Sequence, residues 1–191
     1  MSDPAVIYDE SRRWSYTDYK NWELKPGERY ELINGIAYAM AAPGTQHQLI
    51  AAALYGEFYA FLKGKPCKAI PAPFDVRLFY EEDGSDDTVV QPDLSVVCDP
   101  AKLGMEGCRG APELVVEILS PSNSVLEMYR KRDLYFESGV REYWLIDPDR
   151  RIVAVYHVTN GKYLLQSFES ADTIQSEVLP GLEITAGTLF V

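Results

Sequence analysis

The sequence predicts a mixed β-sheet flanked by helices, an α/β fold of the α+β kind, and three observations lead there. Short apolar segments bounded by turn residues recur along the chain. Two long stretches of helical periodicity interrupt them without strict βαβ alternation, and three strand-like segments in succession lie near the C-terminus. At 191 residues, 47% hydrophobic and 25% charged, the chain is large enough for one domain with a sizeable core. Residues 1–25 read as an N-terminal arm, loosely docked, and 26–191 as a single domain.

The first hairpin is expected at Arg29 to Ile33 and Ile36 to Met40, around Asn34-Gly35, a pair that readily takes positive φ. After the break at Pro43-Gly44, Thr45 and Gln48 fit a capping box. They open a helix over about 46–63 whose apolar stripe includes Ile50, Leu54, Phe58 and Leu62, with Gly64 as its stop. Three strands follow in Ile70 to Phe79, Val89 to Val97 and Leu114 to Leu119, the first two separated by the polar loop Glu81 to Asp87. Ser124 and Glu127 form a second capping box for a helix that ends near Ser138 at Gly139, with Met128, Tyr129, Tyr135 and Phe136 in its stripe. A β-meander closes the reading: Glu142 to Ile146, Arg151 to Val158 and Lys162 to Phe168, turning at Asp147-Pro148-Asp149 and Asn160-Gly161.

Composition excludes several classes. No apolar run approaches the ~18 residues that span a bilayer, and Met1-Ser2-Asp3-Pro4 lacks the pattern of a signal peptide, so a cytoplasmic protein is expected. Cys67, Cys98 and Cys108 make no CxxC pair and read as reduced structural thiols, which with two histidines argues against zinc. A net charge of −11 repels nucleic acid at long range. DNA binding therefore needs a local basic patch, and Arg130-Lys131-Arg132 with Lys63, Lys65 and Lys68 is the candidate.

The chemistry centres on two carboxylates. Leu114-Val115-Val116-Glu117-Ile118-Leu119 is apolar on both faces, as in a strand covered on both sides, yet carries a carboxylate in its middle. A buried carboxylate needs a cation, a hydrogen-bond network or a metal. Asp93 shares a polar face with Gln91 and Ser95, and Pro92 marks an edge, a bulge or an opening of the sheet. On neighbouring strands Asp93 and Glu117 converge with Gln91 into a hard-oxygen site for Mg²⁺ or Mn²⁺. The plainer reading makes Asp93 a turn residue and pairs Glu117 with Arg77 or Arg141.

Pro92-Asp93 followed by Glu117-Ile118-Leu119 resembles the PD-(D/E)XK nuclease signature. Pro112 to Ser122, Lys131, and Gly139-Val140-Arg141-Glu142-Tyr143-Trp144-Leu145-Ile146-Asp147-Pro148 are similar to the Uma family of putative restriction endonucleases, as are Tyr30 to Gly35 and Leu179 to Glu183. The resemblance implies a restriction-endonuclease-like core, with an acidic motif that binds Mg²⁺ for phosphodiester hydrolysis. One departure is Leu119, where the signature has lysine.

The family's helix-borne lysine matches Lys131, about 40° from Tyr135 and about 60° from Met128 on the helix, while Glu127 four residues earlier offers it an ordinary surface pair. Glu31 matches a family glutamate that extends the metal site, against the common reading of a solvated hairpin charge. His47 in the first helical turn is placed to contact a phosphate or activate water, or to be a surface or capping group. Arg130 and Arg132 would contact phosphates, or line a solvated helix face. The expected activity is metal-dependent endonuclease cleavage of DNA by a homodimer, a state drawn from analogy with nuclease folds. Its rival is a catalytically inactive interaction module on the same scaffold.

Overall fold

A computed structural model describes residues 12–120 and 125–190. A short helix α1 (Tyr16–Lys20) precedes the hairpin β1 (Tyr30–Ile33) and β2 (Ile36–Ala39), and the long helix α2 (Thr45–Leu62) follows. Next come β3 (Lys68–Pro71), β4 (Val76–Arg77), β5 (Val89–Val90), β6 (Leu94–Val97) and a small hairpin of β7 (Leu103–Gly104) and β8 (Gly107–Arg109). Strand β9 (Leu114–Ile118), helix α3 (Val125–Ser138) and the meander β10 (Glu142–Asp147), β11 (Ile152–Thr159) and β12 (Lys162–Phe168) complete the core. A last hairpin joins β13 (Thr173–Gln175) to β14 (Glu183–Thr185).

The expected mixed sheet is present as the order β12-β11-β10-β9-β6-β3, in which β9 and β10 are parallel and the other neighbours antiparallel. Parallel neighbours require a crossover, and α3 supplies it. Side-chain alternation then covers both faces. Leu114, Val116 and Ile118 of β9 pack with Ile50, Leu54, Phe58 and Leu62 of α2, whereas Val115 packs with Leu134 and Tyr135 of α3. Glu117, of the same parity as Val115, therefore points to the α3 side.

A second sheet, β2-β1-β5-β4-β8-β7, was not expected as a separate layer. It arises because two segments read as continuous strands each divide between sheets. Pro71 and Pro73 interrupt 70–79, so β3 joins the central sheet and β4 the other; Gln91-Pro92-Asp93 does the same to 89–97, dividing β5 from β6. Proline offers no ladder donor, so each strand ends there. At Pro92 the sheet opens, and Asp93 stands at the point where the chain changes layer.

The Asn-Gly turns carry positive φ at both residues, 50° and 76° at Asn34-Gly35 and 52° and 71° at Asn160-Gly161. Gly139, at φ +100°, ends α3: its N–H bonds Phe136 O and Val140 N–H bonds Tyr135 O, closing the helix carbonyls. The Thr45/Gln48 capping box does not form. Thr45 is already helical and Gly44 is the N-cap, without a side-chain cap. Ser124 lies outside the described residues.

Residues 1–11 of the expected arm also lie outside the described residues, but its later part is docked rather than loose. Tyr16 is buried with Leu32 and Val89, and Trp14, Tyr19 and Trp22 pack against them. The cysteine expectation is corrected as well. Lys68 pairs with Val97, so Cys67 and Cys98 stand opposite each other one step beyond, and they form a disulfide across 31 residues, leaving Cys108 free and buried. Their pairing depends on strand register, which spacing along the chain does not reveal. No helix among the described residues is long and apolar enough to cross a membrane.

Candidate active site

The β6–β9 ladder ends at Leu94 and Val116, and Asp93 and Glu117 are the residues just beyond it on the two strands. The hydrogen bonds found for each among the described residues fall on one carboxylate oxygen. Asp93 Oδ2 accepts from Ile118 N–H at 2.7 Å and lies 3.2 Å from His47 Nε2. Glu117 Oε1 accepts from the Tyr135 hydroxyl at 2.6 Å and from Lys131 Nζ at 3.0 Å. No hydrogen bond to a described residue engages Asp93 Oδ1 or Glu117 Oε2.

Lys131 comes from the middle of α3 and reaches inward. Its ammonium also contacts Glu31 from β1, at 2.9 Å to Oε1 and 2.8 Å to Oε2, and the three charged side chains are between 6% and 8% exposed. The surface pair with Glu127 is thereby excluded as its main partnership. Neither arginine considered for Glu117 is bonded to it among the described residues: Arg77 is paired with Asp86, and Arg141 is exposed. Glu31 is not a solvated hairpin charge, because β5 covers β1 and Gln91 N–H donates to its Oε1 at 2.9 Å.

Gln91 is held by residues that the sequence did not single out. Its side-chain Nε2 donates to Asp75 Oδ1 at 2.8 Å and lies 3.4 Å from the Tyr19 hydroxyl, whose single proton is shared between Tyr30 O and Asp75 Oδ1. With the amide nitrogen so occupied, the carbonyl Oε1 of Gln91 is buried without a hydrogen-bond partner among the described residues. Tyr135 was assigned only to the core stripe. Its position four residues after Lys131, on one helical face, was the available signal that both reach the same carboxylate.

Burial is the largest influence on Glu117 and pushes its pKa up to about 7; Lys131 opposes this, while Asp93 and Glu31 add to it. Burial alone would lower the Lys131 pKa, but Glu117 and Glu31 outweigh it and hold the ammonium protonated above its ordinary range. Desolvation, then Glu117, raises Tyr135 well above a normal phenol, so it stays a donor. Asp75 is likewise raised by burial, and the Asp93 hydrogen bond raises His47 against its own desolvation.

The structure thus brings together Glu31, Gln91, Glu117 and Lys131, with Asp93 just before β6 and His47 in the first turn of α2 beside it. It does not bring the basic residues to them as one patch. Lys131 is buried among acids; Arg132 bonds Asp133 and lies over Tyr129 and Tyr156; Arg130 is exposed. Lys63 is sixteen residues beyond His47, ~24 Å along α2.

The donor set fits a hard divalent cation, since two carboxylates each keep an oxygen that no described residue engages and no described thiolate adjoins them. Among the described residues no group of three His, Cys, Asp or Glu side chains is arranged to hold a metal. Mg²⁺ suits such a site, because it keeps waters and takes only one or two protein carboxylates beside substrate phosphates.

A solved structure of a putative nuclease belonging to DUF820, from Anabaena variabilis, superposes with a TM-score of 0.74 at 20% identity, covering 92% of this chain and 97% of that one. An uncharacterized protein from Synechocystis sp. is 25% identical over 175 residues, 91% of this chain and 89% of the relative. Residues 16–187 match the Uma2 family, described as putative restriction endonuclease, and span every residue of the site. The chain belongs to that family, and its fold is that of a nuclease-like protein.

Proposed function

We propose that the protein is a metal-dependent endonuclease that hydrolyses phosphodiester bonds in DNA. The carrying observation is that Asp93 and Glu117 come together beside the buried Lys131 ammonium, each with one oxygen that no hydrogen bond from a described residue engages, in a chain of the Uma2 family. Asp93 and Glu117 would hold Mg²⁺ or Mn²⁺, and such an ion polarises a phosphate and lowers the pKa of a bound water. Lys131 supplies a fixed positive charge for the developing negative charge on phosphate, the part that Leu119 cannot play. Glu31, with both oxygens on Lys131, positions that ammonium rather than serving as a ligand. Gln91 Oε1 is left to accept a hydrogen bond from the attacking water.

A homodimer, drawn by analogy with nuclease folds, would place two such sites on a duplex at once; light scattering measures that state. The rival, an inactive interaction module, drew on the −11 charge and Leu119. The buried Lys131 answers the second of these. Purified protein incubated with duplex DNA, single-stranded DNA and RNA should cleave DNA in Mg²⁺ or Mn²⁺ and not in chelator. Cleavage that persists in Asp93→Ala sinks the assignment, and no cleavage with either metal favours the inactive module.

A further inference from the structure

Asp93 lies between β5 and β6, outside both ladders, so neither sheet fixes its side chain. Among the described residues two groups do, and both hold the same oxygen: Ile118 N–H at 2.7 Å and His47 Nε2 at 3.2 Å. The backbone donor comes from β9, the strand that carries Glu117. The imidazole comes from α2, on the inward stripe that continues through Ile50, Leu54, Phe58 and Leu62, one turn beyond the apolar core. Both side chains are largely enclosed, His47 13% and Asp93 18% exposed. His47 does not cap α2, whose N-cap is Gly44. Its hydrogen bond is made sideways, to the carboxylate.

We infer that His47 is a positioning residue for the proposed metal site: by fixing Asp93 Oδ2 together with Ile118 N–H, it keeps Oδ1 available to a divalent cation opposite Glu117. The inference rests on the metal reading above. A metal-binding carboxylate restrained by an outer hydrogen bond loses less freedom when it binds, and removing such partners typically costs about 10–100-fold in affinity. The amide of glutamine, like imidazole, carries an N–H donor, so His47→Gln separates a donor role from direct ligation or from bulk.

Calorimetric titration with Mn²⁺ of the wild type, His47→Ala and His47→Gln, with thermal melts as a folding control, tests this. The expected result is affinity lower by about 10–100-fold in His47→Ala with the melt little changed, and restored to within about threefold of wild type in His47→Gln. Equal affinity in His47→Ala overturns the inference, as does a His47→Gln variant as weak as His47→Ala. A wild type that binds no Mn²⁺ overturns the metal reading and this inference with it.

Discussion

Replacing Lys131 by methionine is expected to destabilise the fold by about 3–5 kcal/mol at pH 7, the cost of breaking a buried ion pair by removing one partner. Methionine fills a similar volume, so the loss reports charge and not a cavity. What remains is Glu31 with the Gln91 amide and Glu117 with the Tyr135 hydroxyl, two carboxylates at most 8% exposed and without a cation. The variant has one escape, which is to take up protons. Its destabilisation should therefore shrink as pH falls from 7 to 5, because protonated carboxyls bury without a counter-charge. Urea unfolding at the two pH values measures this. A loss under about 1 kcal/mol at pH 7 would mean that the ammonium is not a structural partner of the two glutamates.

The wild type should show a smaller version of the same slope, traceable to Glu117. A carboxyl whose folded pKa is raised to about 7 binds its proton more tightly in the native than in the unfolded state. Its contribution is then fully present below the ordinary glutamate pKa, ~4.3, and is lost as pH rises towards 7. The sign is opposite to that of an exposed salt-bridged acid. Over this window the metal-free protein should lose on the order of 3 kcal/mol through this one group. Glu117→Gln removes the titration, so the difference in stability between wild type and variant should change with pH by that amount. The same substitution should lower Mn²⁺ affinity by ~100-fold or more, since an amide oxygen replaces a charged ligand. A pH-independent difference contradicts the burial argument; unchanged Mn²⁺ binding contradicts the role of Glu117 as ligand.

These expectations trace to features of unequal legibility. Glu117 was readable because local sequence alone exposes the conflict: five apolar neighbours describe a strand covered on both faces, and a carboxylate there must be compensated. Which cation compensates it was not readable. Lys131 sits at the border of the α3 stripe, and helical geometry allows such a residue to lean either way until the opposite wall is known. That wall is β1, one hundred residues earlier, where Glu31 completes the pair. The same long-range dependence hid Tyr19 and Asp75 behind Gln91, as well as the Cys67–Cys98 pairing.

The strand readings erred in an informative way. Segments 70–79 and 89–97 have the right apolar content, but periodicity cannot tell one strand from two short ones serving different sheets. Pro92 was the visible mark of that division, and the chain's change of layer there leaves Asp93 outside the ladder, where its carboxylate bonds the Ile118 N–H just after Glu117. The turns, by contrast, were legible because Asn-Gly encodes positive φ within two residues. The Asn-Gly turns hold because their determinant is local, although the equally local Thr45/Gln48 cap did not form; where the determinant is register between distant strands the sequence is silent.

The account turns on Asp93 and Glu117 as a metal site, and crystals soaked in Mn²⁺ test that most directly by anomalous scattering. The expected result is one peak within about 2–2.5 Å of Asp93 Oδ1 and Glu117 Oε2, with Lys131 still bonded to Glu31. Absence of a peak at millimolar Mn²⁺, or a peak elsewhere with this pair unchanged, would contradict it.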